Sequence, residues 1–150
     1  MRRLFAFALS ILVLIYMQPI AAQAKESIGE TVYFEDGSSL TVYVEQVNSR
    51  ASGTKTASKT YQYTDSDGDI AWKAVLTGTF IYTGSSAQCT ASSVDVTIYN
   101  TGWYVVSKTA GKSGASATGN VTMGLKKLGI TVKKMPLTMT LTCDVNGNLS

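Results

Sequence analysis

From Ile70 to Tyr82 the side chains alternate. Ile70, Trp72, Ala74, Leu76, Phe80 and Tyr82 fall on one side, Lys73, Thr77, Thr79 and Thr83 on the other, and Gly78 sits on the apolar side. A period of two over 13 residues is a strand signal, because a helix would spread the same apolar residues round its circumference. Similar alternation recurs at Val94, Val96 and Ile98, at Val121, Met123 and Leu125, at Ile130 and Val132, and at Leu137, Met139, Leu141 and Cys143. Shorter β-branched and aromatic runs stand at Thr31-Val32-Tyr33-Phe34, Leu40 to Val44, Tyr61 with Tyr63, and Trp103 to Val106. Turn-forming stretches separate them: Glu35 to Ser39, Asp65 to Asp69, Gly84-Ser85-Ser86, Asn100-Thr101-Gly102, Gly111 to Gly114, Leu128-Gly129 and Asp144 to Asn148. The apolar parity shifts between Val132 and Leu137, which predicts a bulge near Lys133 to Pro136. Eight to ten short strands with frequent turns imply an all-β fold: an antiparallel β-sandwich, immunoglobulin-like or a partly open barrel.

The chain opens differently. Met1-Arg2-Arg3 leads an apolar run from Leu4 to Met17, broken by Gln18-Pro19 and followed by Ala22-Gln23-Ala24. A short basic start, a brief apolar stretch and a small-x-small site are the layout of a signal peptide over residues 1–24, cleaved near Ala24. The run is shorter than the ~20 residues a membrane span needs. The expectation is a secreted, extracellular protein with three parts after cleavage. These are an N-terminal β-hairpin over 25–48, a flexible linker over 49–58 without a large apolar residue after Asn48, and a β-sandwich domain over 59–150.

Charge and sulfur sharpen this picture. Residues 25–95 carry nine acids and five bases, whereas residues 96–150 carry six lysines and one acid, an asymmetry that suggests one basic surface. Cys89 and Cys143 are the only cysteines. In an exported chain two cysteines are expected to pair, and closing a loop of that size stabilises by roughly 4 kcal/mol in the chain-entropy model. Trp103, 14 residues after Cys89, resembles the tryptophan that packs on the immunoglobulin disulfide. Leu141 stands where that family's corner tyrosine would be, and only seven residues follow Cys143.

From about Lys59 onward the chain also resembles a family of small uncharacterised secreted bacterial proteins, a domain of unknown function. The likeness is carried by Thr60-Tyr61-Gln62-Tyr63, Gly68 with Ala71-Trp72, Leu76-Thr77-Gly78-Thr79-Phe80, Tyr82 to Thr90, and Leu141-Thr142-Cys143 with Gly147. It implies an exported, disulfide-bonded β domain and brings no activity with it.

Candidate chemistry is sparse. The chain has no histidine, which removes histidine-based triads and zinc sites, and no cofactor motif survives inspection. The expected protein is therefore not an enzyme. Asp65, Asp67 and Asp69 share the opening spacing of a calcium loop, and Asp144, Asn146 and Asn148 repeat it. The first has Leu76 at the twelfth position, where the bidentate acid would stand, so a hairpin turn is the stronger expectation. Lys126-Lys127 and Lys133-Lys134 flank an apolar centre, Leu128 to Val132. Folded as a hairpin, the four lysines would gather near one edge, either to bind an anionic envelope polymer or a membrane surface, or to keep the edge soluble. Nothing points to nucleic acid. Tyr33, Tyr43, Tyr99 and Tyr104 supply aromatic faces that a glycan-binding module would use. The leading expectation is a non-enzymatic interaction module at a cell envelope or extracellular surface. A glycan-binding module and an antimicrobial or toxin-type effector are the alternatives.

Overall fold

The computed structural model describes residues 29–50 and 53–150, and the expected signal peptide lies outside them. Eight antiparallel strands form two sheets: β1 (Glu30–Tyr33), β2 (Ser39–Arg50), β3 (Thr54–Thr64), β4 (Ile70–Tyr82), β5 (Ala87–Ile98), β6 (Trp103–Ser113), β7 (Ser116–Lys127) and β8 (Ile130–Thr142). The first five make one sheet in the order β1-β2-β3-β4-β5, and the last three the other, β6-β7-β8. No helix occurs among the described residues. The sandwich is therefore a double meander. It lacks the long crossovers of a Greek key, so the immunoglobulin-like arrangement does not hold.

The two inner faces interdigitate through the alternating residues read above. Trp72, Leu76 and Phe80 of β4 meet Val121 and Met123 of β7 and Met139 and Leu141 of β8, all fully buried. Two glycines permit this approach. A Cβ on Gly119 would lie 2.5 Å from Val94 Cγ2 and 3.0 Å from Met139 Cε, and one on Gly78 would lie 2.6 Å from the Phe80 ring.

Three expectations change. The segment 49–58 is not a free linker over the described part. β2 runs on to Arg50, Thr54–Ser58 begin β3, and Ser49 pairs with Lys55. Polar residues pass for linker in the sequence, yet Ala57 is completely buried and Ser58 nearly so. The strands beside them supply the apolar contacts. The bulge falls at Val132, between Thr131 and Lys133, ahead of the predicted span. Pro136 stays in register opposite Thr122, tolerated because β8 is an edge strand.

The disulfide is absent: Cys89 and Cys143 are free and buried. Each thiol turns to a nearby carbonyl, Cys89 to that of Ala91 at 3.2 Å and Cys143 to that of Asp144 at 3.5 Å. Their backbone N–H groups donate to the carbonyls of Gly114 (2.7 Å) and Ala115 (3.0 Å). Backbone hydrogen bonds to the β6–β7 turn thus tie both strand ends down in place of a sulfur bridge.

Lysines stitch the side of the sandwich where β3 faces the free edge of β8. Lys59 Nζ donates to the Thr140 carbonyl at 3.1 Å. Lys55, buried, donates to the Gly147 carbonyl, with its ammonium 5.8 Å from the Tyr82 ring centre. A strand edge left unpaired invites aggregation, and the Lys59 ammonium occupies part of it.

Candidate functional site

In a meander successive turns alternate between the two ends. The β1–β2, β3–β4 and β7–β8 turns and the β5–β6 connection share one end of the sandwich, and this end carries the candidate chemistry.

The β7–β8 hairpin closes through Leu128-Gly129, with φ of 51° and 77°. Positive φ at both central residues is the signature of a type I′ turn, whose twist matches the flanking strands. Glycine and asparagine adopt that conformation readily, whereas leucine costs about 1–2 kcal/mol. Leu128 is the only non-glycine residue with positive φ among those described, and its side chain is fully exposed. Ile130 (69%) and Val132 (54%) are exposed beside it. The hairpin therefore presents a three-residue apolar tip.

The four lysines lie on this hairpin but in different settings. Lys126 places its ammonium 4.7 Å from the centre of the Tyr104 ring. That ring lies across Gly124, where a Cβ would come within 2.5 Å of it, and the Tyr104 hydroxyl is 2.8 Å from the Thr131 hydroxyl. Lys133 turns inward and spans the two sheets. Its Nζ is 3.3 Å from Asp36 Oδ2 and donates to the Tyr63 hydroxyl at 3.2 Å. Burial alone would lower the Lys133 pKa, but the bond to Tyr63 and the Asp36 charge outweigh it and leave the value raised. Asp36 is held down to about 2, chiefly by the Ser38 hydroxyl, then by the Ser38 N–H, with Lys133 adding to both. Lys127 and Lys134 are exposed and have no ion pair among the described residues. The expected cluster of four free cations is thus two free ammonium groups, one cation–π contact and one inter-sheet strut.

Beneath the hairpin lies a cleft of about 440 Å³. Tyr63, Trp103 and Leu125 contribute its apolar lining, and behind them Trp72 stacks on Tyr63 at 5.4 Å and meets Trp103 edge-on at 6.0 Å. Trp72 Nε1 is buried without a hydrogen-bond partner, the only such side-chain atom among the described residues. One wall carries Lys126, Lys127 and Lys133, and the facing loops carry Asp65, Asp67, Asn100 and Thr101. Hydrogen bonds fix the rim. Asn100 Nδ2 donates to Asp65 Oδ2 at 2.9 Å, and the Lys126 N–H donates to the Gly102 carbonyl at 2.8 Å.

Asp65, Asp67 and Asp69 form a turn of the kind expected from their residue types. Asp65 Oδ1 accepts from the N–H groups of Asp67 (3.1 Å) and Asp69 (3.0 Å), and Gly68 takes φ 89°. Asp144 repeats the arrangement, accepting from Asn146 and Asn148, each at 2.8 Å, with Gly147 at φ 85°. Both Asp65 oxygens are committed to donors, which leaves them poor cation ligands. Among the described residues no three acids or cysteines stand close enough to hold a metal ion.

Of the tyrosines, Tyr33 (78%) and Tyr99 (58%) are well exposed, while Tyr104 is committed to Gly124 and Lys126. Sequence reasoning missed Asp36 and Tyr63 as partners of Lys133, because the contacts join residues 97 and 70 positions apart. No family model, curated protein or solved structure matches this chain.

Proposed function

We propose that the chain is a secreted, non-enzymatic binding module that attaches to an anionic surface at a cell envelope or outside the cell, through the β7–β8 hairpin. One observation carries the reading: a fully exposed leucine held at the tip in a conformation that leucine disfavours. The residue costs folding free energy where it stands and gains no burial within the chain. Burial against something outside would explain the choice. Moving Leu128 into an apolar layer stabilises by about 1.5–3 kcal/mol, and Ile130 adds to this. Each lysine beside an anionic membrane surface contributes about 1 kcal/mol. Neither term is large alone, and stable attachment needs two such signals together. The arrangement favours a membrane surface over a soluble polyanion, which would use the charge and leave the tip idle.

The test is co-sedimentation of the purified protein with vesicles that contain or lack anionic phospholipid, at low and high salt. Attachment is expected to be stronger to vesicles that contain anionic phospholipid. It should weaken with salt and fall at least about tenfold in Leu128→Asn. Equal attachment to neutral vesicles, or an asparagine variant that binds like the parent, would overturn the reading.

A further inference from the structure

Besides the paired Lys133 and Asp36, the cleft under the hairpin carries charges of opposite sign that do not neutralise one another. Among the described residues only two ion pairs form, Lys108 with Asp95 at 3.9 Å and Lys133 with Asp36 at 3.3 Å. Lys127 and Asp67 line the same cleft and neither takes part in either pair. Asp67 is exposed, and its hydrogen bond is made by its backbone N–H, so its carboxylate stays uncommitted. Asp65 reinforces the negative side, whereas the Lys126 ammonium is held at the Tyr104 ring. The walls cannot simply collapse together, because Asn100 holds the Asp65 turn and Gly102 holds the end of β7. A fixed cleft with separated, unmatched charges is complementary to a small molecule that carries both signs apart from each other.

The aromatic lining narrows the class. The Tyr63 ring already has the Lys133 ammonium 5.3 Å from its centre, but Trp103 also lines the cleft, and aromatic rings attract alkylated ammonium groups. A volume of about 440 Å³ suits a ligand of headgroup size. We infer that the cleft binds a phosphate ester carrying an amine on a two-carbon spacer, of the phosphocholine or phosphoethanolamine type, with the phosphate at Lys127 and the amine between Asp67 and the Trp103 ring. A lipid headgroup is the natural source only where the hairpin meets a membrane, so that part rests on the surface-attachment reading. The chemistry itself is testable in free solution.

The purified protein is titrated with phosphocholine and phosphoethanolamine and followed by two-dimensional NMR. Glycerol phosphate (the anion alone), choline and ethanolamine (the cation alone) and glycine betaine (a zwitterion without phosphate) run alongside. Expected are saturable shifts confined to Ser66-Asp67, Asn100 to Trp103 and Lys126-Lys127, with the partial ligands at least about tenfold weaker. Asp67→Asn and Lys127→Ala should each weaken binding by a similar factor. Leu128→Asn should leave headgroup binding unchanged while it abolishes vesicle attachment, so the two proposals fail separately. Free headgroup should also compete with vesicles displaying it. Absence of saturable binding, shifts elsewhere on the molecule, or equal binding of glycerol phosphate or glycine betaine would overturn the assignment. Failure to compete with vesicles would overturn a lipid as the source.

Discussion

Leu128 lets stability and the proposed surface attachment be tested apart at a single position. Asparagine tolerates the left-handed region that leucine resists. Leu128→Asn is therefore expected to raise stability by about 1 kcal/mol in denaturant unfolding, as the same change removes vesicle attachment. A variant less stable than the parent would show that the leucine makes contacts within the fold. Asp36 offers a second test, in pH. Its folded pKa lies below the ordinary 3.8, at about 2, chiefly through the Ser38 hydroxyl. A depressed acid contributes stability above its unfolded value, and that contribution disappears as pH falls through the folded value. Thermal melts between pH 4 and pH 2 should therefore show a decline that Asp36→Asn shares less. The carboxylate is exposed, so the difference will be small, and a variant with an unchanged acid profile would remove Asp36 from that account.

At the level of strands and hairpins, periodicity was a sound guide wherever one face is buried. The alternation of Trp72, Leu76 and Phe80 located β4, and that of Val121 and Met123 located β7. It failed for Thr54–Ser58, where small polar residues occupy a strand because β2 and β4 pair on either side of it. The lysine hairpin was legible as an element. The division of labour among its lysines was not, because Asp36 and Tyr63 reach Lys133 only after both sheets have formed. Nor did composition reveal which glycines are structural. Gly119 sits in β7 where side chains of β4, β5 and β8 converge. Gly119→Ala should cost about 1–3 kcal/mol by overpacking, read as a lowered unfolding midpoint with unchanged denaturant slope. Alanine accepted without loss there would mean that Val94 and Met139 repack freely.

For the molecule as a whole, closure rests on packing, lysine struts and backbone hydrogen bonds. Burial raises the pKa of both thiols, so at neutral pH they stay protonated and unreactive. In the folded protein iodoacetamide should label neither, both should react once the chain is unfolded, and added reductant should leave the melting curve in place. A reductant-sensitive melt would contradict free cysteines. The expectation of a disulfide rests on an expected export signal and the count of two, and neither consideration contains the positions of the β6–β7 turn and the strand ends that it binds. The strand order has one more consequence, in time. Every strand pairs with the strand made just before or after it, and the connections are short. Exported from its N-terminus, as proposed, the chain would add each hairpin as it emerges, at little loop-closure cost and with no partner still awaited. Only the meeting of the two sheets and the docking of the last turn on Lys55 must wait for the final residues.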